Sequence, residues 1–324
     1  MPFVSIRDLR IAFDEVTVLH GIDLDIDPGE AVGLVGESGC GKSVTWLGAL
    51  GLLPRKARVA GSVTLQGMEL IGAPRERMES VRGARIAMIF QDPASSLNPV
   101  HRIGRQICES LRLHRGLRGQ AARAEAIRLL DMVGIPSANT RIDLYPHEFS
   151  GGQCQRIMIA MALAGQPDLL IADEPTTALD ATIQAQILDL LADLRCQTGM
   201  AMVFISHDLG AVSAVCDRAA VMYAGRIVES GEIGALFRTP RHPYTRGLFD
   251  AIPDMQTPRG PLVPIHGTVP DPAHLPAGCA FAPRCGRASD LCREFGPDLK
   301  PIPQGGQVAC FHPIPLPQRQ KAFA

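Results

Sequence analysis

The segment Gly36-Glu37-Ser38-Gly39-Cys40-Gly41-Lys42-Ser43 constrains this chain more than any other. It is a complete G-x-x-x-x-G-K-S loop. The apolar run Val32-Gly33-Leu34-Val35 precedes it and a helix-competent run begins near Lys42, so a buried strand turning into a helix is expected. Glycines let backbone N–H groups curl around phosphate oxygens, and the next helix turns its positive end to the same anion. The spacing predicts that Lys42 reaches the β and γ phosphates of ATP and that the Ser43 hydroxyl ligates Mg²⁺. Cys40 is expected to lend only a backbone N–H, not a reactive thiol.

Three more strand ends carry chemistry. Leu169-Leu170-Ile171-Ala172 ends at Asp173 and Glu174, Ile86 to Phe90 ends at Gln91, and Met202 to Ile205 ends near His207. Polar groups at the tips of α/β strands sit where such sheets place their ligands. Asp173 is expected to hold Mg²⁺ through water, and Glu174 to polarise an attacking water as general base. The Gln91 amide could touch both Mg²⁺ and that water, and the His207 imidazole could meet the γ-phosphate. Each alone reads as a solvated strand end; the phosphate loop upstream makes them a set.

Bulk properties narrow the partners. The 324 residues carry 46% hydrophobic and 20% charged side chains with net charge −1, which argues against nucleic acid as a partner. No basic stretch followed by an apolar core opens the chain, and no apolar run approaches the ~18 residues of a spanning helix. Residues 1 to about 238 read as an α/β domain, with a strandless helical subdomain at about 95–165. Composition changes beyond Phe237. Nine prolines between Pro240 and Pro276 predict an irregular connector within an extension at 239–324. Of nine cysteines, four crowd into that extension as Cys279-x5-Cys285-x6-Cys292-x17-Cys310. Four thiolates suit tetrahedral Zn²⁺ or an iron–sulfur cluster, and there is no C-x2-C pair to favour zinc.

Ser150-Gly151-Gly152-Gln153 precedes a second helical run, and its hydroxyl, N–H groups and helix dipole make another anion site. One γ-phosphate does not need two cradles. The second is explained by a head-to-tail dimer in which each chain completes its partner's ATP site. The order of GESGCGKS, Gln91, FSGGQ, LLIADE, the Ala178-Leu179-Asp180 turn and His207 resembles the nucleotide-binding subunits of ABC transporters over residues 1 to about 238. The resemblance implies a P-loop NTPase cassette with a mixed sheet and helical subdomain. It also implies that Phe13 stacks on adenine, although core packing explains Phe13 as well, and that Ser150 to Gln153 and Asp180 face the partner's nucleotide.

FQDPASSLNP, IADEPTTALDATIQAQI, VMYAGRIVESG and PRHPYTRGL narrow the resemblance to the oligopeptide and dipeptide permease ATPases. That implies peptide import, with nickel-chelate or glutathione-type import as the alternative. It further implies a second, similar but distinct ATPase subunit, two transmembrane permease subunits and an extracytoplasmic solute-binding protein. The chain would lie peripherally on the cytoplasmic face of a bacterial inner membrane. The same resemblance implies a [4Fe–4S] cluster on Cys279, Cys285, Cys292 and Cys310, with Zn²⁺ as the alternative. Soluble ABC ATPases acting on ribosomes or DNA usually show tandem cassettes or a coiled-coil insertion, and this chain has neither.

Overall fold

The computed structural model describes residues 2–177, 179–251, 264–303 and 305–316. In chain order its elements begin with β1 (Val4–Phe13), β2 (Val16–Ile26), β3 (Ala31–Val35), α1 (Lys42–Ala49), β4 (Ala57–Leu65), β5 (Met68–Glu69), α2 (Arg75–Val81) and β6 (Ile86–Ile89). Helices α3 (Pro93–Ser96), α4 (Ile103–Arg115), α5 (Gly119–Met132), α6 (Ala138–Arg141) and α7 (Gly151–Leu163) follow without a strand. Then come β7 (Leu169–Asp173), α8 (Ala181–Thr198), β8 (Ala201–Ser206), α9 (Leu209–Val215), β9 (Arg218–Tyr223), β10 (Arg226–Glu232), α10 (Ile233–Arg238) and α11 (Pro243–Asp250). Short α12 (Asp290–Glu294), β11 (Lys300–Pro301) and β12 (Gln307–Val308) close the described chain.

The core sheet runs β11-β12-β10-β9-β3-β8-β7-β6. Its centre is parallel, from β9 through β3, β8 and β7 to β6. Every residue of β3, β7 and β8 is buried, which is why these strands read as unbroken apolar runs. All four strands expected from sequence are present. The run through Phe90 stops one residue early, at Ile89, and the Phe90 ring is 41% exposed.

Alternate residues of the central strands feed two separate cores. Val32, Leu34, Ile171, Val203 and Ile205 pack with Trp46 and the N-terminal strands, whereas Val35, Leu170, Ala172, Met202 and Phe204 pack with the helices. The layer over the first face is an antiparallel sheet, β2-β1-β4-β5. Sequence reading did not identify it. In β1 the buried residues run Val4, Ile6, then Leu9, Ile11, because a register shift between Ile6 and Leu9 with Asp8 at φ 44° breaks the alternation.

The C-terminal extension returns to the core instead of trailing from it. Gln307 and Val308 pair with Ser230 and Glu229, extending the core sheet beyond β10. The proline-rich connector also holds a short helix, α11, because Pro243 occupies its first turn, where no backbone N–H is needed. Among the described residues no helix is long and apolar enough to cross a membrane.

Candidate nucleotide site

The turn from β3 into α1 depends on glycine at Gly36 and Gly41. At Gly36 φ is +155°, and a Cβ there would lie 2.3 Å from the Met222 carbonyl oxygen. Gly41 caps α1 at φ +103°, where a Cβ would strike Leu19 at 2.5 Å. Ser38 and Gly39 remain exposed, so the rim of the loop is open to solvent. Lys42 is buried, and its ammonium donates to Gly36 O at 2.8 Å and Glu37 O at 3.1 Å, within the ring of the loop. Cys40 is buried too, and burial pushes its thiol pKa up. That suits a packing residue and not a thiolate nucleophile.

The Ser43 hydroxyl donates to Asp173 Oδ1 at 2.8 Å, so the two groups expected to hold Mg²⁺ are side by side. Burial raises the Asp173 pKa; the Ser43 hydrogen bond opposes this, the Glu174 charge adds to it, and Lys42 opposes it. Next along the chain, Glu174 adopts φ 47°, and its N–H donates to Ile205 O at 2.9 Å. This fastens the end of β7 to β8. Glu174 Oε2 accepts from Gln91 Nε2 at 3.1 Å and from Thr177 Oγ1 at 2.9 Å, while His207 Nδ1 lies 3.4 Å from Oε1. Residues following β6, β7 and β8 thus meet on one carboxylate. Thr177 was absent from the sequence reading; its position three residues after Glu174, in the same turn, was the available signal.

Phe13 ends β1 half-buried against the N-terminal core. Ser150 caps α7, with its hydroxyl accepting from Gln153 N at 3.4 Å and Gln153 Oε1 accepting from Ser150 N at 3.2 Å. Ser150 and Gly151 are exposed, and neither bonds to the phosphate loop among the described residues. Asp180 caps α8 by accepting from Ile183 N at 3.0 Å, and Gly152 packs on Ile183. Ala178 of that turn lies outside the described residues.

The four tail cysteines line one cavity of about 20 Å³ with His242 and Phe281. Among the described residues no three His, Cys, Asp or Glu side chains are arranged to hold a metal ion. Burial raises the pKa of Cys279 and Cys285, and it takes Cys310 up to about 11 with the other cysteines adding to the rise.

Glu37 departs most from expectation. Its N–H, expected at phosphate, donates to Tyr244 Oη at 2.9 Å, and its carboxylate takes both Arg284 Nη atoms at 2.8 and 3.0 Å. No sequence pattern announced Arg284 or Tyr244 as neighbours of this loop.

Known proteins resemble this chain in sequence and fold. Residues 19–177 match the ABC transporter family model, and residues 228–292 match that of the oligopeptide/dipeptide transporter C-terminal region. The oligopeptide transport ATP-binding protein OppD of Salmonella typhimurium is 44% identical over 315 residues, covering 96% of this chain and 94% of that one. The chain belongs to the ATP-binding subunits of the oligopeptide/dipeptide ABC transporter family. A Brucella abortus protein provisionally named for peptide import and ATP binding is 51% identical over 296 residues, covering 90% of this ABC ATPase and 89% of its own length. The dimeric ATP-binding cassette MJ0796, solved with ADP and phosphate, superposes at TM-score 0.63 with 26% identity, covering 71% of this chain and 98% of that one. The P-loop cassette fold expected from sequence is therefore the fold observed.

Proposed function

We propose that this ABC ATPase hydrolyses MgATP to drive import of di- or oligopeptides through an inner-membrane transporter. The observation that carries the hydrolytic part is the meeting of Gln91, Thr177 and His207 on Glu174, one residue from the Ser43–Asp173 pair. In this reading Glu174 draws a proton from the attacking water, and Gln91 orients that water. His207 donates a hydrogen bond to the γ-phosphate, and Lys42 with the loop N–H groups stabilises its charge. Phe13 stacks on the base. Ser43, Asp173 and Gln91 offer only hard oxygen donors, which fit Mg²⁺; the ion would neutralise phosphate charge. The Ser150-Gly151-Gly152-Gln153 cap, exposed at Ser150 and Gly151, and Asp180 would face the nucleotide of a second ATPase subunit. Two permease subunits and an external solute-binding protein would complete the assembly at the cytoplasmic face of the membrane.

Peptides are favoured over nickel chelates or glutathione-like solutes by the match to the oligopeptide/dipeptide C-terminal region and by the names of the relatives. The test is uptake by the whole transporter, reconstituted in vesicles with its binding protein. ATP-dependent accumulation of labelled di- or oligopeptides supports the reading, and uptake of a nickel chelate without peptide overturns it.

The tail spacing, four cysteines with no C-x2-C pair, favours a [4Fe–4S] cluster over zinc in this reading. Bound there, the cluster would join Cys279, Cys285, Cys292 and Cys310 and clamp an apolar-poor tail. Iron and acid-labile sulfide in equal amounts on anaerobically purified protein would support it; zinc without iron would exclude it.

A further inference from the structure

Arg284 is hydrogen-bonded through all three of its guanidinium nitrogens. Its Nε donates to His266 O at 2.9 Å, its two Nη atoms take both oxygens of Glu37, and Nη1 also reaches Tyr223 Oη at 3.3 Å. The guanidinium side chain is 5% exposed and lies over the Tyr223 and Phe281 rings at 5.8 and 5.9 Å. Phe281 packs edge-on to Tyr223 at 5.2 Å, and Tyr244 stands 4.6 Å from Tyr223. That same Tyr244 accepts the Glu37 N–H. Glu37 follows Gly36, the first residue of the phosphate loop, and its carbonyl oxygen accepts from Lys42 Nζ. Arg284 precedes Cys285, one of the four clustered thiols.

A paired, desolvated guanidinium fork is a rigid connector, since two parallel bonds fix both direction and distance. Here it joins a loop that must adopt one shape to hold phosphate to a segment whose shape depends on four cysteines. We infer that Arg284 is a positioning residue for nucleotide: through Glu37 it holds the phosphate loop and couples the state of the four-cysteine site to ATP affinity. This inference rests on the nucleotide reading of that loop. The coupling is reciprocal, so ATP binding in turn favours the docked, ordered tail.

The full chain, purified anaerobically, tests this with a fluorescent ATP analogue and Mg²⁺. Arg284→Gln and Glu37→Gln should each weaken the analogue by about 5- to 20-fold, within the usual range of coupling between sites. The double variant should be no weaker than the worse single, because both substitutions break one connection. Arg284→Lys, which keeps charge but not the fork, should fall between wild type and Arg284→Gln. In turnover the KM for ATP should rise while kcat stays within about twofold, a split that general loss of folded protein does not produce. Cys285→Ser should weaken the analogue in the wild-type background and have no further effect on Glu37→Gln. Glu37→Gln changes the loop end of the pair, so it tests the connection even where Arg284→Gln disturbs the tail. Single variants within about twofold of wild type, or additive effects in the double, overturn the inference. Lys42→Ala is the separate control: unchanged analogue binding in that variant refutes the nucleotide reading itself.

Discussion

Two helices of this chain begin with a glycine-rich turn suited to an anion, and their surroundings differ. At the start of α1 the loop is enclosed: Lys42 is buried, Ser43 bonds Asp173, and Tyr244 and Arg284 grip Glu37 from the tail. At the start of α7 the cap is bare. Ser150 and Gly151 face solvent, and among the described residues the Ser150 hydroxyl serves only its own helix through Gln153. Helix dipole and free N–H groups are common to both ends, so they do not set the roles apart. What separates them is the supply of lysine, carboxylates and rigid support. One end is a nearly complete site; the other, in the proposed reading, is half of a site whose remainder comes from a second subunit.

The largest effect should come from removing chemistry from the first end while both cradles stay intact. Glu174→Gln is expected to slow ATP turnover by about 10²- to 10⁴-fold. ATP should then be held in a dimer that elutes ahead of the wild-type monomer on size exclusion. Undiminished turnover would remove Glu174 as the base.

Acid probes the support that distinguishes the two ends. His242 is buried and its Nδ1 accepts the Tyr244 N–H at 3.0 Å; burial takes its pKa from 6.5 down to about 4. The unfolded chain therefore binds this proton first as pH falls. Stability is full above the unfolded value of 6.5 and drains away as pH drops toward about 4, by up to roughly 3 kcal/mol. Urea unfolding across that range should show this slope, and His242→Asn, which keeps an acceptor for Tyr244, should flatten it. A slope unchanged in the variant would assign the acid sensitivity to other groups.

Ser150→Ala bears on the second end. It should cut turnover about tenfold, as for one lost hydrogen bond to a charged group. Nucleotide affinity of the isolated chain should stay within about twofold, because that site is its own. An affinity loss as large as the turnover loss would break the distinction between the two ends. Smallest is Asp180→Ala, which removes the cap of α8 and should lower stability by about 1 kcal/mol, read from the urea midpoint, with the first site's affinity unchanged.

The parallel strands were readable in the sequence because strands buried on both faces carry continuous apolar runs, as β3, β7 and β8 do. The antiparallel sheet over them was not, since the bulge at Asp8 shifts the inward-facing set from Val4 and Ile6 to Leu9 and Ile11. For Thr177 the sequence offers only its place three residues after Glu174, and the fold alone sets its hydroxyl on that carboxylate.

What the sequence determined by itself is the chemistry of the phosphate loop. The glycines, Lys42 and Ser43 are consecutive, and local backbone geometry places them wherever the chain goes. Only the tertiary structure decided what grips that loop. Arg284 is 247 residues from Glu37, and a pairing at that separation is set by how the tail packs back on the core, which no local pattern encodes.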